Sequence, residues 1–324
     1  MPQNNIWQKA SKLKILAPMD DVTDVAFRRM IFELGPPDIF FTEFVNVDGL
    51  NSAGRPNLVH KLLKFNNTED VIAQVWGLKP ENFQATAEYL VEMGFKGIDI
   101  NMGCPVKDVV KTGAGSAMIE NPEKAREIVE STRIGAGGKI PVSIKTRIGF
   151  KNIDLGWIEF LLKLKLPALT VHLRTQKEMS KVPAHWDILP QILSLRDNLS
   201  PETKIIANGD IFDKNILKHK IEIEGLNGVM IGRGIFHDPF IFNPEVDFLS
   251  LNKNQKLSLM KRHIELYKQF YMNGGAGENG QRRLPTLFKF AKVYISGFNG
   301  AVELRTKMMQ TRTLAEFELI LDKN

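Results

Sequence analysis

The strongest constraint on this chain is an alternation. Eight short, apolar, β-branched runs recur along its first 231 residues, at 13–17, 38–42, 71–75, 97–100, 141–145, 168–172, 204–207 and 228–231. Amphipathic stretches of helical period lie between most of them, at 25–34, 80–93, 122–133, 154–163, 187–195 and 213–218. Pro80 stands at a first helical position and Gly94 just past a last one, the usual asymmetry of helix ends. Strands alternating with helices read as βαβ units on a parallel sheet. Eight such units in about 240 residues predict an α/β fold of (β/α)8 TIM-barrel type. An open doubly wound sheet is the alternative, but that fold usually carries a Gly-rich fingerprint after its first strand, and this chain has none there.

After Pro244 the strand pattern stops, and helical periods take over at 256–271, 285–295 and 301–310, with a Gly-rich break at 273–280. The expected organisation is therefore a barrel over residues 1–244 and a small helical domain over 245–324. Charge divides at the same place. The net charge is +6 over 324 residues, and residues 245–324 hold 13 Lys/Arg against 8 Asp/Glu, a net of +5. An excess gathered in one domain suggests a polyanionic partner.

One cysteine, Cys104, excludes an intramolecular disulfide and any Cys-based zinc or iron–sulfur site within the chain. It suits a reducing, cytoplasmic setting. No apolar run reaches 18 residues, and the first residues lack the basic and apolar regions of a secretion signal, so neither a membrane span nor export is expected. No metal is expected, and a monomer is.

Barrels of this type build their active sites at the carboxyl ends of the strands. There the chain places Ala17-Pro18-Met19-Asp20, Gln74, Asn101-Met102-Gly103-Cys104-Pro105, Lys145 with Arg147, His172 with Arg174, Asn208-Gly209-Asp210 and Gly232-Arg233-Gly234. The last two turns stand where barrels commonly bind phosphate. Their glycines admit an anion close to the backbone, and Arg233 offers a bidentate fork. Lys145 and His172 end neighbouring strands and are able to meet a planar ligand together. A cation beside one edge of a flavin stabilises its reduced form, and the Gln74 amide is suited to bond the same ring system. A lysine ending an apolar strand is costly without such a partner, whereas His172 taken singly reads as a satisfied barrel histidine. Cys104 reads either as a small buried hydrophobe or as a proton donor, since a thiol of ordinary pKa is mostly protonated at neutral pH. Acid and nucleophile are both open on the sequence.

In order and at sensible spacing, these segments resemble the tRNA-dihydrouridine synthases, flavin enzymes that reduce uridine in tRNA. The likeness runs from Ala17-Pro18-Met19, Val22-Thr23-Asp24 and Phe27-Arg28 through Asn101–Pro105, Lys145-Thr146-Arg147, His172, Arg174-Thr175, Ala184–Asp187 and Asn208–Ile211 to Met230–Gly234. It implies FMN at the barrel mouth, with Pro18, Met19, Gln74, Lys145 and His172 around the ring system and Asp20 among the cofactor-binding residues. Asn208, Gly209, Asp210, Gly232 and Arg233 are implied at the ribityl phosphate end. It implies NADPH as reductant, hydride transfer from flavin N5 to C6 of the uracil, Cys104 as the acid toward C5, and Asn101 and Arg174 on the substrate. The basic helices are implied to grip tRNA, with Lys253, Lys256, Lys261, Arg262, Lys268, Arg282, Arg283, Lys289 and Lys292 as candidates. Two stretches look individual: Phe288-Lys289-Phe290, less basic than the resemblance leads one to expect, and the loop 176–183. The competing readings are the same reaction on ribosomal RNA, an FMN barrel reducing a free pyrimidine, and an RNA-binding barrel without catalysis.

Overall fold

The computed structural model describes residues 5–66, 69–272 and 285–324. Eight strands form one parallel sheet: β1 (Leu13–Leu16), β2 (Phe40–Asn46), β3 (Val71–Trp76), β4 (Gly97–Met102), β5 (Val142–Arg147), β6 (Ala168–His172), β7 (Lys204–Asn208) and β8 (Gly228–Ile231). The order β1-β8-β7-β6-β5-β4-β3-β2 wraps round, and a bridge between Ile15 and Ile39 brings β1 back to the segment leading into β2. The outer helices are α1 (Val25–Leu34), α2 (Pro80–Glu92), α3 (Pro122–Ala136), α4 (Leu155–Lys163), α5 (Leu189–Leu199) and α6 (Lys214–Ile221). Side-chain caps start several of them: Asp24 accepts from Phe27 N–H, Asp154 from Trp157 N–H and Asp213 from Ile216 N–H.

The predicted barrel is present, with five of its strands, β2, β3, β4, β5 and β7, longer at the carboxyl end than their apolar runs. β2 was expected to stop at Thr42, where Glu43 interrupts the pattern. It runs on to Asn46 because the ladder shifts register between Phe41 and Phe44, and the Glu43 carboxylate is buried accepting Asp21 N–H at 2.7 Å. β4 was expected to stop at Ile100 but carries Asn101 and Met102, paired with Lys145 and Thr146 of β5. Asn208, expected after β7, is its last residue. Asn and Asp are poor strand formers in the open, but inside a barrel they sit where other polar groups meet them.

The amino-terminal end of the barrel is closed. A short turn, Ile6–Gln8, lays Trp7 across it, fully buried and edge-on to Phe41 at 6.2 Å, in a cluster with Leu13, Ile15, Ile72, Ile206 and Met230.

Among the described residues, four helices follow the barrel: α7 (Lys253–Tyr271), α8 (Pro285–Tyr294), α9 (Ala301–Met309) and α10 (Leu314–Asp322). The last was not read from the sequence, although Thr313 and Glu316 make a capping box at its start. These helices rest on α1 through an aromatic seam. Phe27 stacks on Phe290 at 4.8 Å, and His263 sits 4.5 Å from Phe290 and 5.8 Å from Tyr294. Burial holds His263 down at about 4, so it is neutral there. At the rim of the seam the Arg262 guanidinium bonds both Glu33 oxygens at 2.8 Å. Lys289 Nζ donates to the Asp21 carbonyl at 2.8 Å, joining the helices to the loop after β1.

Candidate active site

A cleft of about 180 Å³ opens at the carboxyl ends of the strands. Of the residues singled out from the sequence, Pro18, Met19, Lys145, His172, Arg174, Asn208, Gly209, Asp210, Gly232 and Arg233 all line it. Asp20, Gln74, Asn101 and Cys104 do not. Asp20 points outward and pairs with Lys61. The other three form a buried group beside the cleft.

The β7 and β8 side is organised by one carboxylate. Gly209 and Asp210 both have positive φ, +145° and +50°, and a Cβ on Gly209 would lie 2.6 Å from that of Ala184. The turn aims Asp210 at two arginines. Arg174 Nη2 donates to its oxygens at 2.6 and 2.5 Å, Arg233 Nη2 reaches it at 3.3 Å, and Ala184 N–H donates at 2.8 Å. Desolvation raises the Asp210 carboxyl, but these donors and the two positive charges outweigh it and hold the group below its ordinary value. Arg174 is buried, and its Nε donates to the Val182 carbonyl, so it supports the site from below. Arg233 keeps half its side chain exposed and stands over the ring of Phe212 at 5.5 Å. It is a fixed, accessible cation at the edge of the cleft.

Lys145 is half-buried where the two sides meet. Its Nζ donates to Asn208 Oδ1 at 3.2 Å, and Asn208 Nδ2 is committed to the Met230 carbonyl at 2.8 Å. Burial, then the neighbouring Arg147 charge, draws Lys145 down to about 8, with Asp99 and Cys104 opposing. His172 is driven well below its ordinary value by burial and by the charges of Arg147, Lys145, Arg174 and Arg233. It is therefore neutral. Its Nε2 lies 3.2 Å from Arg174 Nη1, and a guanidinium only donates, so Nε2 accepts and the ring proton sits on Nδ1.

The β3–β4 side holds amides and a thiol. Asn101 Oδ1 accepts from Gly103 N–H at 3.0 Å and Cys104 N–H at 2.9 Å, and its Nδ2 donates to Gln74 Oε1 at 3.0 Å. Gln74 Nε2 donates to Asp99 at 2.7 Å. Both amides are thus spent inside the protein, on holding the loop that carries Cys104. Burial pushes the Cys104 thiol up. A backbone hydrogen bond at Val106 and the charges of Arg147 and Lys145 pull the other way, and Asp20 adds to the rise. The thiol is protonated at neutral pH. Arg147 holds the same loop from its far side, with Nε on the Gly103 carbonyl at 2.8 Å and Nη1 on the carbonyls of Thr175 and Met179. It thereby ties the Cys104 loop to the loop 176–183.

Sequence reasoning left Asp99 unassigned and gave Arg147 no role. Both had a signal: a lone acid inside the apolar run Gly97-Ile98-Asp99-Ile100, and a second cation two residues after Lys145.

The sequence pattern of the dihydrouridine synthase family (Dus) matches residues 15–324. The chain belongs to that family. It is 41% identical to a probable tRNA-dihydrouridine synthase of Staphylococcus aureus (strain COL), over 99% of this chain and 96% of that protein. It is also 41% identical to probable tRNA-dihydrouridine synthase 2 of Bacillus subtilis (strain 168), over 98% and 96%. Two solved structures share the fold at low identity. One is 2-naphthoyl-CoA reductase in complex with 2-naphthoyl-CoA, at TM-score 0.54 and 10% identity, covering 73% of this chain and 52% of that one. The other is histamine dehydrogenase from Rhizobium sp. 4-9, at 0.54 and 11%, covering 81% and 49%. This chain is an enzyme of that family, an oxidoreductase built on a TIM barrel.

Among the described residues, no cluster of His, Cys, Asp or Glu could hold a metal ion, and no helix is long and apolar enough to cross a membrane. The helical candidates for RNA contact divide. Lys256 is buried, with Nζ on the Ser296 carbonyl and over the Phe248 ring. Lys261, Arg262 and Lys268 are paired with Asp322, Glu33 and Glu318. Lys292 is exposed and Lys253 half-buried. Arg282 and Arg283, with the break 273–280, lie outside the described residues.

Proposed function

We propose that this chain reduces the C5=C6 bond of specific uridines in tRNA to dihydrouridine, with FMN as cofactor and NADPH as reductant. It works in the cytoplasm as a monomer. Residues 1–244 supply the catalytic barrel and 245–324 the helices that hold RNA. The observation that carries the reading is a neutral, buried thiol beside a cationic cleft at the mouth of a barrel of this family.

The cleft fits a phosphorylated flavin. A Cβ on Gly232 would stand in the opening, 3.7 Å from Ala17 Cβ and 3.8 Å from Met19 Sδ, so the glycine keeps that wall open. Arg233 and the backbone at Gly232 suit the phosphate, with Asp210 and Gly209 fixing the turn that aims Arg233. Pro18, Met19 and His172 line the remainder, and Lys145 offers a half-buried cation of lowered pKa that an electron-rich ring would compensate. When bound, the reduced flavin supplies the hydride.

The chain's own residues supply the rest. Cys104 holds the proton destined for C5 on its Sγ, and its raised pKa keeps that proton in place until carbanion character develops at C5. Lys145 bears positive charge next to both the cleft and Cys104. Asn101 and Arg147 fix the thiol's loop, and Arg174 holds the opposite wall. The base must leave its stack to reach the mouth, which costs least for a loop or unpaired uridine. Mass spectrometry of RNA from a deletion strain and its complemented partner tests the whole reading. Loss of a dihydrouridine from tRNA is expected on deletion, restored on complementation. Unchanged dihydrouridine in every RNA would overturn it, and loss from ribosomal RNA alone would move the substrate.

A further inference from the structure

Asp99 takes no part in the chemistry derived so far. It lies on β4, fully buried, level with Gln74 of β3 and Ser143 of β5 in the ladder. Its Oδ2 accepts from Gln74 Nε2 and its Oδ1 from Ser143 Oγ, both at 2.7 Å. Burial pushes its carboxyl up to about 6, against the hydrogen bonds of Gln74 and Ser143 and the charge of Lys145, so the group is ionised at neutral pH. A buried carboxylate is costlier than an amide of the same shape. What it adds over an amide is direction, because it accepts hydrogen bonds and never donates one.

That direction propagates. An ionised Asp99 compels Gln74 to show it Nε2, so Gln74 turns Oε1 toward Asn101. Asn101 then gives Nδ2 to Gln74, which leaves Oδ1 facing the loop, where it accepts Gly103 and Cys104 N–H. Reversing either amide would set acceptor against acceptor or donor against donor. We propose that Asp99 is a positioning residue for the proton donor: its carboxylate fixes the sense of the Gln74 and Asn101 amides and thereby clamps the Cys104 loop beside the cleft. The inference deepens the proposed function, since it rests on Cys104 being the acid.

Cys104 is the only thiol in the chain, so alkylation by iodoacetamide reads this one site without RNA or turnover. The full-length protein is used with its bound flavin, and flavin-stripped wild type gives the value for an empty cleft. Asp99→Asn allows Gln74 to turn, and the alkylation rate is expected to rise about tenfold, as for one lost buried hydrogen bond. RNA reduction is expected to fall in kcat with KM for RNA unchanged. In Asp99→Asn/Gln74→Glu the new amide donates to the new carboxylate, whose second oxygen accepts from Asn101. Direction is restored, and alkylation is expected to return to within about twofold of wild type, as when one hydrogen bond replaces another. Ser143→Ala removes a donor without changing direction and is expected to leave alkylation at the wild-type rate. Should Asp99→Asn not fold, Gln74→Met cuts the relay one residue later and is expected to raise alkylation similarly.

Unchanged alkylation in Asp99→Asn or Gln74→Met overturns the proposal. So does a folded double variant as reactive as Asp99→Asn, or a Ser143→Ala equally reactive. A Cys104→Ala that still reduces RNA defeats the acid role alone and leaves the alkylation result to be read on its own.

Discussion

The two sides of the barrel mouth are built from different materials. Around β7 and β8 the site is ionic: Arg174, Asp210 and Arg233 hold one another in charged hydrogen bonds, and the cation at the rim stays exposed. Around β3 and β4 it is a chain of amides ending at a thiol, with its one carboxylate buried at the far end. An ionic wall suits retention of a charged ligand. In the amide wall burial is the largest influence on the thiol and keeps its proton on sulfur, against the opposing charges of Arg147 and Lys145. On the proposed function this is a separation of labour, with binding on one side and proton control on the other.

The largest expected effect comes from the amide side. Cys104→Ala should lower RNA reduction by about 10²–10⁴-fold, the range for a lost general acid, while the flavin absorbance of the purified protein is retained. Quantifying dihydrouridine by mass spectrometry checks it, and a wild-type rate would erase the distinction between the two walls. Next, Arg233→Ala should weaken FMN binding by about 10–100-fold, as for a lost charged hydrogen bond. Cys104 alkylation in flavin-stripped protein should stay the same, and a change in it would show that the walls are not independent.

Lys145 stands between them, and its effect should be moderate and pH-dependent. Its folded value of about 8 lies below the ordinary 10.5, so it carries its proton below pH 8 and sheds it above. An anionic ligand favours the protonated form. FMN binding should therefore take up protons near pH 8 and weaken as pH rises through that value. Titration calorimetry in buffers of different ionisation heat measures the uptake, and no uptake would remove Lys145 from the binding wall. The smallest effects lie outside the mouth. Lys253→Ala and Lys292→Ala should each reduce the slope of log K for RNA against log salt by about one, uniformly across RNA sequences. Filter binding at several salt concentrations suffices, and a slope unmoved in both would place the RNA grip elsewhere.

The ionic wall was legible in the sequence and the amide wall only in part. Glycines and arginines after the last strands announce an anion site by their types alone. Gln74, Asn101 and Cys104 were singled out, but the direction of their hydrogen bonds depends on Asp99, whose meaning comes from its neighbours across the ladder. Those neighbours are 25 and 44 residues away. The ends of β2 and β4 were missed for a related reason: Glu43 and Asn101 look like strand breakers until their buried partners are known. In the tail, Lys256 and Lys289 read as surface cations by composition. The first is buried over an aromatic ring and the second spends its ammonium on the Asp21 carbonyl.

Trp7 seals the floor of the barrel, and this has a kinetic corollary. A room with one door makes its visitors queue. On the proposed function an electron donor and the base it serves both reach the flavin through that mouth, and the expectation is that they use it in turn, the first leaving before the second arrives. Steady-state plots for one, taken at several fixed concentrations of the other, should be families of parallel lines rather than lines that cross.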